Sequence, residues 1–164
     1  ILYVGISSGY WYSLQTIMEA SGLLIIFTFI SSTLMVFLTT LLKSVNAFGA
    51  LSGILGTFIG FVSGIYMPLF ILGKGTTFVA SVIPFTHMTI MLRNVLLREP
   101  LAVMMSEYPI PPQVLEHVKM HYGINEIGVF GMDVPMIFIM LFSGLLSFVL
   151  LFFTYRRMTK KISK

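Results

Sequence analysis

Two histidines four residues apart, His117 and His121, have the spacing in this sequence that comes nearest to a metal site. On a helix this spacing places both imidazoles on one face, with Glu116 beside them. The run reads EHVKMH, which differs from the H-E-x-x-H order of zinc proteases, and the sequence offers no evident third ligand. We therefore expect a solvated surface here, and no bound metal.

A second group of chemically capable side chains lies in residues 76–97, TTFVASVIPFTHMTIMLRNVLL. Pro84 interrupts an otherwise apolar helical run, and His87 and Arg93 follow it. Ionisable side chains at membrane depth are expensive and commonly functional. We take Pro84, His87 and Arg93 as the candidate residues of a gate.

The motifs of common enzyme classes do not occur in the sequence. It has no phosphate-binding loop, no glycine-rich dinucleotide fingerprint and no G-x-S-x-G nucleophile turn. With no cysteine, it has no disulfide and no thiol nucleophile. We therefore expect a non-enzymatic chain with no cofactor of its own, whose energy source lies in another component.

The elements that carry these residues are membrane helices. The chain is 57% hydrophobic, and residues 20–42, 44–73 and 134–155 contain no charged side chain. A hydrocarbon core of about 30 Å needs roughly 20 apolar helical residues, so each stretch is long enough to cross. These stretches predict spans at 20–42, 45–67 and 134–155 in an all-α, polytopic membrane bundle forming a single domain.

The remaining segments complete this prediction. We expect residues 1–16 to be the end of a preceding span and an outer turn, and the chain to be a fragment of a longer polypeptide. Residues 98–132 form an outer connector, in which Pro111, Pro112 and Gly123 bracket a short helix. Residues 156–164 form a basic tail. A cationic tail directly after a span favours a cytoplasmic C-terminus beside anionic lipid over nucleic-acid binding.

Residues 76–97 have two possible courses. As a fourth span they would place Pro84 and His87 near mid-bilayer with Arg93 still inside the membrane. As a re-entrant helical hairpin they would enter and leave at the outer side, and each half around Pro84 is too short to cross alone. Broken backbone at depth survives only where protein or a water-filled cavity surrounds it. We favour the hairpin, although the Lys and Arg counts of the two models do not decide between them.

The second span contains regularly spaced glycines. Several of them are four residues apart, which predicts a bare face where another helix, or the same helix of a second subunit, approaches closely. The positions are Gly49, Gly53, Gly56, Gly60 and Gly64. A short turn with Ser44 or Asn46 as the cap precedes this span, so we also expect the first two spans to form a tight antiparallel pair.

The first span contains a weakly polar stripe, Thr28, Ser32 and Thr39, at helical spacing. Such a stripe is a candidate lining for a path taken by amphiphilic cargo. The alternative is that the hydroxyls bond back to carbonyls of their own helix.

The stretch from Gly49 to Glu99 resembles the permease subunit of type-two ATP-binding-cassette exporters, the ABC-2 family. The likeness consists of a charge-flanked span, a glycine-rich span ending in FVSGIYMPLF, the run SVIPFTHMTIMLRNVL, and a final span with a basic tail. The positions that match the family pattern are Ser63, Gly64, Pro68, Pro84, Phe85, Thr86 and Arg93.

This resemblance implies a six-span half-transporter in the cell membrane, of which the chain holds the last three spans. It implies an outer re-entrant hairpin, a second permease half as a homo- or heterodimer, and an ATPase subunit or domain that holds ATP and Mg. Cargo would be a lipophilic drug, peptide, lipid or polymer. Two other functions remain open from the residues alone. One is an ATP-independent channel or secondary carrier, and the other is a membrane anchor that transports nothing.

Overall fold

The computed structural model describes residues 6–7, 9–108, 110–125, 128–129 and 132–162, with side chains as far as Thr159. These residues form six α-helices of at least ten residues, and one isolated β-bridge joins Val129 to Met132. The all-α prediction is confirmed for this part of the chain. Residues 1–5, assigned above to a preceding span, and the end of the basic tail lie outside the described residues.

In chain order the elements are α1 (Leu14–Leu41), α2 (Val45–Val62), a 3-10 helix (Leu69–Ile71), α3 (Gly73–Val82), α4 (Pro84–Glu107), α5 (Pro112–Tyr122) and α6 (Met136–Ile162). Helices α1, α2 and α6 are long and apolar enough to cross a membrane, and the bent pair α3–α4 is a fourth candidate if it counts as one span. Most of their apolar surface is exposed on the chain. These features indicate a multi-pass membrane protein.

Helix α1 starts earlier than the charge pattern predicts. The hydroxyl of Ser13 accepts a hydrogen bond from the amide of Thr16 at 3.2 Å, so the helix begins at Leu14 and continues through Glu19. Its 28 residues rise about 42 Å, more than the thickness of the hydrocarbon core. The cap sets the helix start, whereas the charge marks where the apolar surface begins.

Helix α2 begins after Ser44, one of the two predicted caps, whose hydroxyl accepts from the amide of Ala47 at 3.2 Å. The linker is extended, with ψ of 150° at Leu42 and 153° at Ser44. This backbone directs α2 away from α1, and α2 packs mainly against α3. The expected tight pair of the first two spans is therefore not formed.

The end of α2 comes at Val62, five residues before the predicted limit of this span. Gly64 adopts a left-handed conformation with φ of 75°. Its amide bonds to the Phe61 carbonyl at 3.2 Å, and the amide of Ile65 bonds to the Gly60 carbonyl at 3.1 Å. This is a Schellman cap, in which glycine stops the helix without the steric penalty of a Cβ. Gly64 therefore ends α2 and is not part of its helical face.

Three further helix ends differ from the predicted bounds. Helix α4 continues past residue 97 to Glu107, through Pro100, so part of the predicted connector is helical. Helix α6 begins at Met136 and runs beyond residue 155, because the basic tail continues the helix. Within the connector, α5 starts at Pro112 and stops at Gly123 with φ of 62°, which confirms the predicted short helix.

Helices α1, α4 and α6 pack against one another at the centre of the described structure. Small hydroxyl residues are prominent among the buried side chains of α1 and α6, and such residues let helix backbones approach closely in membranes. The buried hydroxyls are Thr16, Thr33 and Thr40 on α1 and Ser143, Ser147 and Thr154 on α6.

Helix α4 runs antiparallel to α1. Near its start Met88 packs against Phe27 and Ile30, in the middle of α1, and further on Glu99 accepts a hydrogen bond from the amide of Ser13, the cap of α1. Met88 and Glu99 are separated by about 16 Å of helical rise, roughly half of a hydrocarbon core. The first turn of α4 therefore lies level with the middle of α1.

Candidate functional site

The bend between α3 and α4 is the main break in the helical structure. The two helices meet at 90° at Ile83, whose backbone is extended (φ −86°, ψ 118°), and Pro84 occupies the first position of α4. Proline disfavours a helical conformation in the residue before it and lacks an amide hydrogen, which the first turn does not need. The predicted break at Pro84 is confirmed as a sharply bent helix pair.

Side chains in the first turn of α4 bond to carbonyls at the ends of other helices. His87 is 2% exposed, and its Nε2 lies 2.8 Å from the carbonyl oxygen of Ser81, near the end of α3. Thr86 is fully buried, and its hydroxyl donates to the carbonyl of Val62, the last residue of α2, at 3.5 Å. The last carbonyls of a helix have no partner within it. His87 and Thr86 supply these partners.

Arg93 makes the same kind of contact two turns further along α4. Its Nη2 donates to the carbonyl oxygen of Gly64, just past the end of α2, at 2.7 Å. No carboxylate in the described part of the chain pairs with Arg93. The side chain borders a cavity of about 230 Å³ together with Pro68, Leu97 and Tyr122. Arg93 therefore fixes the end of α2 to α4.

The glycine that ends α5 makes room for Arg93. A Cβ added at Gly123 would lie 2.5 Å from Nη1 of Arg93, closer than real Cβ contacts allow. The side-chain amide of Asn94 donates a hydrogen bond to the carbonyl oxygen of the next residue, Ile124, at 3.0 Å. Arg93 and Asn94 thus hold both the end of α2 and the end of α5 against α4.

A polar cluster that we did not predict joins α4 to the start of α1; we call it the Glu99 cluster. The Glu99 carboxylate accepts hydrogen bonds from the hydroxyls of Tyr10, Ser13 and Thr16 and from the amide of Ser13. Its members are Tyr10, Ser13, Thr16, Glu19, Arg98 and Glu99. Within the cluster, Arg98 pairs with Glu19 at 2.9 Å. In the sequence, the opposite charges of Glu19 and Arg98 were the available signal, but charge alone does not predict which residues pair.

These hydrogen bonds change the acidity of Glu99, which lies outside the three helices able to cross a membrane. The hydroxyls of Ser13 and Thr16 and the amide of Ser13 stabilise the ionised carboxylate and lower its pKa to about 2, from an ordinary value of 4.5. The carboxylate therefore stays ionised well below pH 4.5, where an ordinary glutamate becomes protonated.

The five spaced glycines do not form one interface within the chain. Gly49, Gly53 and Gly56 face open space. A Cβ at Gly60 would meet the ring of Tyr66 at 2.3 Å, and Gly64 belongs to the cap that ends α2. The first three glycines remain available to a neighbouring helix, whereas the last two serve contacts inside the chain.

The candidate pathway residues lie apart from the bend. Thr28, Ser32 and Thr39 are exposed on α1, whereas the nearby Thr33 and Thr40 are buried. The Thr39 hydroxyl donates to the Val36 carbonyl of its own helix at 2.6 Å. The structure therefore leaves this stripe on the outside of the described helices. Phe27, Ile30 and Thr33 form the inward face of α1, and their three-residue spacing was the available signal in the sequence.

The histidine pair on α5 packs through its rings. Nδ1 of His121 lies 2.8 Å from the carbonyl oxygen of His117, and the His121 ring lies 4.9 Å from that of Phe70. Among the described residues no three His, Cys, Asp or Glu side chains are grouped as metal ligands.

Comparisons with known proteins identify no relative: no family model, curated protein or solved structure matches this chain.

Proposed function

We propose that this chain is part of the membrane-spanning permease of an ATP-driven exporter of the ABC-2 type, with the α3–α4 pair as a re-entrant outer gate. The observation that carries the proposal is the depth of the bend. Met88, one turn after Pro84, packs against Phe27 and Ile30 in the middle of α1. A helix break at this depth is expensive in lipid and is typical of transporters, where it borders a path or a binding site.

The polar contacts at the bend support this proposal. Thr86, His87 and Arg93 bond to carbonyls at the ends of α2 and α3 or just past them, groups that lipid is unable to satisfy. Each contact joins two elements that have to move relative to each other if the gate opens. Such side-chain contacts can be exchanged for water as a path forms, whereas backbone bonds inside a helix cannot.

The course of the chain supports the re-entrant arrangement. Helices α1 and α2 are joined by the short Leu42–Ser44 linker, so if both cross, the start of α1 and the end of α2 lie at the same face. Helix α3 follows the end of α2, and α4 passes the start of α1 at Glu99. The bent pair then enters and leaves at one face, and α6 carries Arg156 and Arg157 to the opposite, cytoplasmic face.

The remaining parts of the machine belong to partners in this proposal. A second permease half would cover the exposed faces of α1 and α2, including Thr28, Ser32 and Gly53. A nucleotide-binding subunit or domain would hold ATP and Mg and drive the change between inward and outward states. The lipid bilayer surrounds the assembly, and no nucleic acid takes part.

Cysteine accessibility tests the re-entrant arrangement, because these 164 residues contain no native cysteine and any cysteine elsewhere in the full-length protein is first replaced by serine. Single variants Lys74→Cys and Glu107→Cys, placed in the full-length protein in sealed vesicles, are treated with a membrane-impermeant maleimide. We expect both to react from the same face, and Lys43→Cys to react only from the other. Labelling of Lys74→Cys and Glu107→Cys from opposite faces would make the bent pair a fourth span and remove the gate.

A transport assay tests the exporter function itself. The full-length protein is reconstituted with its copurifying ATPase, and release of rhodamine 6G from vesicles is followed with ATP or with a non-hydrolysable analogue. We expect release that requires hydrolysis. Release without ATP would favour the channel or secondary carrier, and a stable complex with no release would favour the anchor.

A further inference from the structure

A cavity of about 380 Å³ lies between the α3–α4 bend and the first two turns of α6. Pro84 and His87 border it on one side, and Val134, Phe138 and Phe142 border it on the other. Its size is within the range of sites that hold small organic molecules, about 300 to 1,000 Å³. The gate contact between His87 and Ser81 lies at the wall of this cavity and does not fill it.

His87 and Ser81 are the polar side chains that line this apolar cavity, and the Ser81 hydroxyl already donates to the Phe78 carbonyl at 2.7 Å. Nε2 lies 2.8 Å from the Ser81 carbonyl oxygen, which only accepts, so Nε2 carries the ring hydrogen and donates it. In the neutral ring Nδ1 is then an acceptor, and within the described part of the chain it has no hydrogen-bond partner. Among the described residues, the fully buried side-chain atoms without a hydrogen-bond partner are Ser52 Oγ and Thr154 Oγ1, so the unpartnered Nδ1 of His87 keeps some accessible surface. A side chain that is 2% exposed thus retains one unused, reachable acceptor.

The opposite wall of the cavity is exposed on the described chain. Phe138 and Phe142 are 60% and 61% exposed on α6, a helix whose composition and length suit a membrane span. A molecule dissolved in the bilayer can therefore reach the cavity sideways, without passing through water. Its apolar part would pack against the aromatic walls, and a single donor group would form a hydrogen bond to His87.

We propose that this cavity binds a small lipophilic molecule carrying one hydroxyl donor, which bonds to Nδ1 of His87 while the apolar body lies against Phe138 and Phe142. An acyl chain of a bilayer lipid would fill the apolar walls but would leave Nδ1 without a partner. The assignment of this molecule as cargo rests on the proposed exporter function, whereas its binding does not.

Photolabelling with a matched pair of probes tests the site. The full-length protein in lipid vesicles is irradiated with 4-benzoylbenzyl alcohol or with its methyl ether, which lacks only the donor, and the labelled peptides are mapped by mass spectrometry. We expect the alcohol to label residues 81–87 and 134–142 saturably. Labelling by the ether should reach half-saturation at about fivefold higher probe concentration, because the ether lacks one hydrogen bond. Equal labelling by both probes would show that the cavity accepts apolar molecules without recognising a hydroxyl donor, and would overturn the proposal.

Two variants separate the hydrogen bond from the space. His87→Phe should raise the half-saturating concentration of the alcohol about fivefold and leave the ether unchanged. Ile139→Trp, which retains His87 but fills the cavity, should abolish saturable labelling by both probes. Leu145→Trp, an equally bulky change on the exposed face of α6, should have no effect.

The outcomes also distinguish the two proposals. Labelling needs no ATP. Saturable labelling without ATP-dependent rhodamine release would therefore support the binding site and contradict the exporter function. Non-saturable labelling, or labelling that neither His87→Phe nor Ile139→Trp alters, would overturn the site whatever the transport assay shows.

Discussion

At the residue scale, Gly123 and Arg93 share one confined space. Gly123 has φ of 62°, and its missing side chain leaves room for the Arg93 guanidinium that reaches the Gly64 carbonyl. Any side chain at residue 123 would both strain the backbone and displace Arg93. The contact between α4 and the end of α2 therefore depends on a residue in a third element.

We expect Gly123→Ala to lower the free energy of unfolding by about 1 to 2 kcal/mol, the penalty of a left-handed conformation for an L-residue. Unfolding in detergent micelles with increasing SDS, followed by circular dichroism, measures the change. The control is Gly53→Ala, where the backbone is helical and the space is open, so stability should be unchanged or slightly higher. Equal losses in both variants would contradict the requirement for a left-handed residue at position 123.

The low pKa of Glu99 predicts the direction of a pH effect. A carboxylate whose pKa falls from 4.5 to about 2 on folding stabilises the structure above pH 4.5, and this contribution is lost as the pH falls toward 2. Trp11, the only tryptophan, lies next to Tyr10, a donor to Glu99. We expect Trp11 fluorescence to stay constant from pH 7 to well below 4.5 and to change as the Glu99 carboxylate becomes protonated near pH 2.

Two variants assign this transition. Glu99→Gln should show the altered emission already at pH 7, because an amide accepts the same bonds more weakly and carries no charge. Glu107→Gln, an exposed acid at the end of the same helix, should keep the wild-type profile. A transition that persists in Glu99→Gln would place its origin elsewhere.

At the element scale, the α3–α4 bend is held in two ways. Pro84 prevents a regular hydrogen-bonding pattern through the break, and His87 ties the start of α4 to the end of α3 through Ser81. Either restraint alone still disfavours one continuous helix from Gly73 to Glu107. We therefore expect the two residues to act together.

Replacing both restraints should straighten the pair. In the double variant Pro84→Ala, His87→Leu, spin labels at Lys74 and Met105 should move from about 34 Å apart, the separation for a right-angle bend, toward about 46 Å, the length of one continuous helix. Double electron–electron resonance measures this distance. Pro84→Ala alone should stay near the shorter value, and an unchanged distance in the double variant would show that the bend is held by the surrounding packing instead.

At the scale of the whole molecule, the exposed faces of α1 and α2 are the surfaces most open to partners. Thr28, Ser32 and Thr39 point away from the helices that α1 contacts, and Gly49 to Gly56 face open space. In a single copy these faces would meet lipid. In the proposed two-half exporter they are available to border the path between the halves.

This arrangement makes a transport prediction. The triple change Thr28→Leu, Ser32→Leu, Thr39→Leu should reduce ATP-dependent rhodamine 6G release about tenfold, because it replaces the weakly polar lining by bulkier apolar side chains while preserving the helix. Val36→Leu, at an exposed apolar position of the same helix, is the matched control and should transport normally. Full release by the triple variant would show that this face meets lipid and that cargo passes elsewhere.

The sequence alone determined the local features of this protein. Three charge-free stretches predicted the helices able to cross a membrane, Ser44 predicted a helix start, and Pro84 and Gly123 predicted a break and a stop. These features follow from the conformational limits of single residues and from the apolar character of continuous segments. Both can be evaluated within a few turns of chain.

Only the tertiary structure decided which distant groups meet. It joined Glu99 to Ser13 and Arg93 to Gly64, split the glycine series between an open face and a helix cap, and left Thr28 exposed while burying Thr33. The physical reason is that a hydrogen bond or a close contact depends on ångström-scale positions that are set by how the helices dock. Spacing along one helix gives the candidate faces, and packing between helices selects the one that is used.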